Sequence, residues 1–254
     1  MHRIAVITSK GGTGKTTTSI NLAHGLALCG LKVLLVDCDA QRNAAIAFDV
    51  APERTLCTLL RDGEVDVVRA RDNLYVIDSG GRELAEIEML LANRSSRERR
   101  LELALKNLHG CDVVICDCSP TVNLININAI AYADRVVIPV SMDYLAQQGA
   151  RQTLEIVEEI NHSAYSRTEV MGILPTFFDA RTRLSSEVLE GLRERFGDLV
   201  FDSVIRVNTS LREAPGFNQT IFEYSPMSRG AYDYYQLTEE FLGRVRSQEK
   251  IAGA

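Results

Sequence analysis

The 254-residue sequence contains no tryptophan, only 6% aromatic residues, six prolines and five lysines. It also lacks an excess of positive charge. The formal net charge of −6 at pH 7 excludes a basic domain that coats nucleic acid as a whole, so any such contact must come from a local patch. No apolar run approaches the length of a membrane span, and the N-terminus enters a strand pattern without signal-peptide character. A cytoplasmic protein with no membrane partner is therefore expected. Linkers, composition shifts and internal repeats are absent too, and residues 1–254 are expected to form one domain. Six cysteines are present, but Cys29, Cys38, Cys57, Cys111, Cys116 and Cys118 lie mostly within apolar segments, where thiols pack as small hydrophobes, and no disulfide framework is indicated.

What is present is an ordinary globular composition, 46% apolar and 24% charged, with apolar strand-like runs alternating with helical patterns. The mixed, polar stretch 51–73 reads as a short helix and loops, and 97–108 as a charged helix. Two of the five lysines sit in one stretch, Lys10-Gly-Gly-Thr-Gly-Lys-Thr-Thr17. It follows the apolar run Ile4–Ile7 and precedes a helical pattern over 19–29, the strand, loop and helix context of a phosphate-binding loop. Gly11, Gly12 and Gly14 let the backbone take φ > 0 and turn successive N–H groups, Thr13 included, toward one anion. The following helix directs its positive end at the same point. In the G-x-x-x-x-G-K-[ST] template the first glycine falls on Ser9, and Lys10 opens the loop instead.

Two further runs end in acids. Residues 32–39 read as a buried parallel strand closing on Asp37 and Asp39, and 111–117 as another closing on Asp117, a carboxylate facing the phosphate loop as Mg²⁺ requires. Ligands of open α/β sheets bind at that edge. Cys116 and Cys118 share the face opposite Asp117, where packing is expected rather than metal binding.

The pattern K-G-G-x-G-K-[ST]-[ST] is the deviant Walker A motif, and the sequence resembles the ParA/MinD family of P-loop ATPases, most closely its ParA/Soj partition branch. The resemblance continues through Asp37-Cys-Asp-Ala-Gln-Arg-Asn43, with Ala40 for the family's proline and Arg42 for its glycine. It extends through Asp117-Cys-Ser-Pro120, Ala133–Val140, Asp143–Gly149, Phe178-Asp-Ala-Arg-Thr182, Asn208–Pro215 and Tyr224–Ala231. It implies a single-domain P-loop NTPase fold, α/β, with a mostly parallel sheet flanked by helices on both faces. By the same resemblance, Lys15 neutralises the β- and γ-phosphates, Thr16 binds Mg²⁺, Thr17 reaches the α-phosphate and Asn208 touches adenine. Asp39 orients the attacking water, Asp37 and Asp117 serve the Mg²⁺ region, and Lys10 crosses to the nucleotide of a partner subunit. ATP and Mg²⁺ are the implied cofactors and an ATP-dependent homodimer the implied assembly. Non-specific nucleoid DNA and a ParB-like or cargo-adaptor protein are the implied partners.

Arg181, Arg183, Arg206 and Arg212 are the candidate DNA-binding residues, diluted by Glu187, Glu190, Asp202 and Glu213. The family's second arginine position is occupied by Ser210; if that segment is extended, Arg212 shares its face. The C-terminal pattern Tyr234, Leu237, Phe241, Val245 reads as a core-packed helix rather than a basic membrane anchor, since Glu239, Glu240 and Glu249 accompany its arginines. A membrane-associated MinD-like positioner and a metal-cluster carrier of the nitrogenase-iron-protein type are the alternative readings.

Overall fold

A computed structural model describes residues 1–164 and 166–252, with side chains for all of these except 248–252; Glu249, invoked above against a membrane anchor, thus lies outside the described side chains. Seven strands form one sheet: β1 (His2–Val6), β2 (Val33–Cys38), β3 (Val68–Arg71), β4 (Leu74–Ile77), β5 (Val113–Cys118), β6 (Arg135–Ser141) and β7 (Glu169–Thr176). Their order is β3-β4-β2-β5-β1-β6-β7, parallel except for β3. The helices are α1 (Lys15–Leu28), α2 (Asn43–Ala47), α3 (Leu56–Asp62), α4 (Glu83–Ala92), α5 (Arg100–Ala104), α6 (Leu124–Tyr132), α7 (Ala146–Ser163), α8 (Arg183–Phe196), α9 (Ser210–Glu213), α10 (Ile221–Tyr224) and α11 (Arg229–Ala252).

Strands β2 and β5 are apolar except for Asp37 and Asp117 near their ends because both faces are covered. Alternate residues divide between two cores: Ala5, Leu34, Val36, Val114 and Cys116 face α3–α8, while Ile4, Val6, Val33, Leu35 and Ile115 face α1, α2, α10 and α11. Cys38, Cys116 and Cys118 all belong to the first core. On α11, Tyr234, Leu237, Phe241 and Val245 are buried, so that helix packs onto the sheet as its spacing predicts. No helix among the described residues is long and apolar enough to cross a membrane.

Four local expectations change. Helix α1 starts at Lys15 rather than Ser19, because Gly14 at φ 85° serves as its N-cap and the β-branched run Thr16–Thr18 continues the helix. The 51–73 stretch includes an edge strand, β3, turned onto β4 through Asn73 at φ 59°. The helix expected over 97–108 is a 3₁₀ turn followed by the short α5, because the Asn128 side chain intervenes. Its amide donates to the Arg97 carbonyl (2.7 Å) and its oxygen accepts from the Leu101 N–H (3.0 Å). Finally, Ser210–Glu213 is helical, not extended. Positions two apart on a helix diverge by about 200°, so Arg212 does not share a face with Ser210.

Candidate active site

The sheet order reverses at β1, with β5 on one side and β6 on the other, and the loop leaving β1 opens into the crevice at this switch point. Gly12 and Gly14 take φ of 72° and 85°, values that cost an L-residue 1–2 kcal/mol or so. A Cβ on Gly14 would stand 3.6 Å from the Phe177 ring. The Thr13 carbonyl accepts from the Thr176 hydroxyl at 2.8 Å, which ties the loop to β7. Lys15, the first residue of α1, is 7% exposed, and its ammonium donates to the Lys10 carbonyl across the loop at 3.3 Å. Burial lowers its pKa, against attraction from Asp117 and Asp39.

The strand-end acids come together through register, since Asp37 on β2 pairs with Asp117 on β5. Both are wholly buried. Burial, reinforced by Asp117, holds the Asp37 carboxyl well above its ordinary value. Its oxygens accept from the backbone N–H groups of Asp39 (3.0 Å), Ala44 and Ala45 (3.1 Å each), which makes it the anchor of α2. Asp117 is less engaged. Its Oδ1 accepts from the Ser19 hydroxyl at 2.8 Å, while Oδ2 is buried with no hydrogen-bond partner. Burial raises its pKa to about 6, even though Ser19, Thr16 and Lys15 favour the anion. An orphaned carboxylate oxygen beside the Thr16 hydroxyl is a donor set that suits Mg²⁺.

Asp39, Gln41 and Asn43 line one wall of a cleft of about 520 Å³; Gly12, Gly14, Lys15, Thr16 and Thr17 form its floor. The opposite wall is Ser119–Thr121, held by Asn126, whose amide donates to the carbonyls of Ser119 (2.8 Å) and Thr121 (2.6 Å). A smaller cavity of about 170 Å³ adjoins it, lined by Gly14, Thr17, Phe177, Asn208 and Tyr234. Helix α1 touches the lining of this compartment where Thr18 meets the Tyr234 hydroxyl (3.3 Å), and it also holds the 220–221 segment, Asn21 accepting from the Ile221 N–H (2.8 Å) and His24 Nδ1 meeting the Thr220 hydroxyl (2.6 Å).

Lys10 points away from its own loop, and its ammonium binds Asp143 at 2.6 Å, just before α7. Burial pushes the Asp143 carboxyl up, but hydrogen bonds from Lys10 and the Leu145 N–H outweigh it and leave the pKa below its ordinary value. Of the four candidate DNA-binding arginines, Arg181 and Arg183 are exposed and paired locally, with Asp179 at 2.8 Å and Glu187 at 2.6 Å. Arg206 is forked onto the buried Asp233. Arg212 lies on α9 beside the smaller cavity. Backbone bonds of 3.0 Å from Phe178 N–H to Ile205 and from Val207 N–H to Phe178 bring the 178–183 and 205–212 segments to one corner.

Sequence reasoning missed Asp143 as the partner of Lys10, Asn126 as the brace of the 119–121 loop, and Phe177, a non-glycine residue at φ 52° set against Gly14. An acid in a loop and an asparagine inside a helix carry no distinguishing local signal.

Phosphate is what this sheet edge is shaped to hold, and the class of protein so defined is the P-loop nucleoside triphosphatase. Residues 1–170 match the AAA domain family. The chromosome-partitioning ATPase Soj of Thermus thermophilus is 39% identical over 248 residues, 97% of each chain. The chromosome partitioning protein ParA of Caulobacter vibrioides is 34% identical over 259 residues, 98% of this chain and 97% of its own. Cobyrinic acid a,c-diamide synthase from Mycobacterium smegmatis, solved with bound ADP and magnesium, superposes with a TM-score of 0.76 at 30% identity, covering 91% of this chain and 98% of that one. The chain belongs to the ParA/Soj family of partition ATPases. It is accordingly an ATPase, with ATP and Mg²⁺ as its cofactors.

Proposed function

We propose that this protein is a partition or positioning ATPase that dimerises around ATP, binds DNA without sequence preference in that state, and is released when a cargo-bound partner stimulates hydrolysis. The observation that carries this reading is Lys10. The phosphate loop already has its own cation in Lys15, whereas the Lys10 ammonium is turned outward, 39% exposed, where a second copy can present its nucleotide. Relatives named for chromosome partitioning over nearly the whole chain support the same reading.

Within one subunit the loop N–H groups of Gly11–Gly14 and the Lys15 ammonium hold the β- and γ-phosphates. Asn208 and Tyr234 bound the compartment that takes the base. Thr16 and Asp117 would hold Mg²⁺, which when bound would supply neutralisation of phosphate charge. Asp37 fixes the start of α2, and Asp39 orients the attacking water from the cleft wall. Lys10 of the second copy spreads charge developing on the phosphoryl oxygens, an effect worth most in a site closed to water.

The DNA surface in this reading is the corner formed by Arg181, Arg183 and Arg212, with Arg206 behind it. Exposed arginines in weak local pairs exchange carboxylates for phosphates at little cost. The test is binding to non-specific duplex DNA with ATP, ADP or no nucleotide at two salt concentrations, using wild type and Arg212→Ala. ATP-dependent, salt-sensitive binding that weakens in the variant is expected. No binding in any nucleotide state would remove DNA as the carrier surface and leave the ATPase standing.

A further inference from the structure

The turn that carries Asp39 is held from two sides. On the inner side, Asp37 accepts from the N–H groups of Asp39, Ala44 and Ala45. On the outer side the hold is Arg42. This residue closes the turn, its N–H donating to the Asp39 carbonyl at 3.0 Å, and its own carbonyl accepts from the Ile46 N–H at 2.8 Å as the first bond of α2. Arg42 takes φ 58° and ψ 26°, a conformation that glycine adopts without strain and arginine does not. Its guanidinium reaches back to β4, with Nε donating to both oxygens of Asp78 (3.0 and 3.1 Å) and Nη2 to Oδ2.

Asp78 is a rigid post. Its side chain is wholly buried, and Oδ1 also accepts from the Gly80 N–H at 3.0 Å. The turn after it has no spare room: a Cβ on Gly80 would stand 2.6 Å from the Thr55 hydroxyl and 2.8 Å from the Cys57 sulfur, and one on Gly81 3.0 Å from Arg42 Cδ. A buried carboxylate with one backbone donor and one arginine fork keeps that arginine, since its removal strands a charge. The fork therefore ties a strained turn residue to an immovable point, and Asp39 is three residues from it.

We infer that Arg42 is a positioning residue for hydrolysis, and that its fork to Asp78 fixes the Asp39–Asn43 turn so that the Asp39 carboxylate faces the nucleotide cleft. The inference rests on the role proposed above for Asp39. It extends that role to a pair with no contact to substrate, and it accounts for an arginine at a left-handed position.

The pair acts on the chemical step and not on nucleotide binding, because Lys15 and the loop amides are untouched by it. Full-length Arg42→Gly, which relieves the backbone while removing the fork, is expected to lower kcat about tenfold, with KM for ATP and the affinity for a fluorescent ATP analogue within roughly twofold of wild type. Asp78→Asn is expected to do the same, the double variant to be no slower than the slower single, and Arg42→Lys to fall between. Thermal unfolding confirms that each variant is folded. If Arg42→Gly does not fold, Arg42→Lys carries the same comparison of kcat with KM. Wild-type kcat in the folded variants, or a loss confined to KM, overturns the inference. Asp39→Ala in parallel separates the two readings: if it too hydrolyses normally, the role of Asp39 has failed, whereas an inactive Asp39→Ala beside normal Arg42 and Asp78 variants overturns the fork alone.

Discussion

Lys10 and Asp143, 133 positions apart, form an ion pair of 2.6 Å in which each side chain is about two-fifths exposed, 39% and 40%. A half-exposed pair of this kind stabilises by no more than ~1 kcal/mol. Lys10 is thus parked and not locked, and in the proposed dimer a partner's phosphates would compete with Asp143 for it on easy terms.

Lys10→Ala is expected to abolish turnover while leaving ATP affinity within a few-fold of wild type, because Lys15 and the loop amides remain. Asp143→Asn removes the competing acid and should shift the monomer–dimer equilibrium in ATP toward dimer by up to about thirtyfold, since two such pairs of ~1 kcal/mol each are given up per dimer. Light scattering during size-exclusion chromatography at several protein concentrations reads the second effect. A dimer weaker than wild type would show that Asp143 supports the interface instead.

Asp117 gives the nucleotide-free protein a distinctive pH dependence. Its carboxyl ionises near 6 when folded against an ordinary 3.8, so between about pH 4 and 6 the folded state holds the extra proton. Stability from this group therefore falls as pH rises through that window, by an amount on the order of 3 kcal/mol. Asp117→Asn should weaken the dependence, leaving the part that the raised Asp37 carboxyl contributes, and raise the melting temperature at pH 7.5, while abolishing the further stabilisation conferred by Mg²⁺ with ATP. Melts of both proteins at pH 5 and 7.5 provide the check.

Gly14→Ala should damage binding rather than the fold. The φ of 85° costs alanine about 1–2 kcal/mol, and relief of that strain rotates the N–H groups that point at phosphate. A loss of ATP affinity of at least about tenfold is expected by titration, with a melting temperature a few degrees lower at most.

Arg206 differs from the other basic residues at its corner because its partner, Asp233, is buried with 3% of its side chain exposed. Arg206→Ala strands that carboxylate and should destabilise by roughly 2–3 kcal/mol, whereas Arg181→Ala, in an exposed pair, should change stability by less than about 0.5 kcal/mol. Denaturant unfolding of the two variants tests this contrast and shows which of them gives an interpretable DNA-binding result.

Much of the site is legible from local sequence. The phosphate loop announces itself because glycines, lysine and hydroxyls must be contiguous for their amides to converge, and the strand-end acids stand out because each closes an apolar run. The pairs that tune the site are not legible. Arg42 and Asp78 are 36 residues apart, and Lys10 and Asp143 much farther. Lys10 and Arg42 stand out in the sequence, but nothing local ties them to Asp143 and Asp78 until strand order brings each pair together. The edge strand β3 escaped for a related reason: Val68-Arg-Ala-Arg71 is half polar because one sheet edge faces water, and only pairing with β4 identifies it. At Ser210–Glu213 a four-residue helix is too short for periodicity to register.

Helix α1 begins at the phosphate loop and, about one to two and a half turns later, grips the 220–221 segment and Tyr234 through Asn21, His24 and Thr18. The phosphate loop and the smaller cavity proposed to take the base are therefore fastened to the same helix. In the proposed cycle the timer would then lie in how long two subunits stay face to face, and a factor that sets its pace would act on that seam.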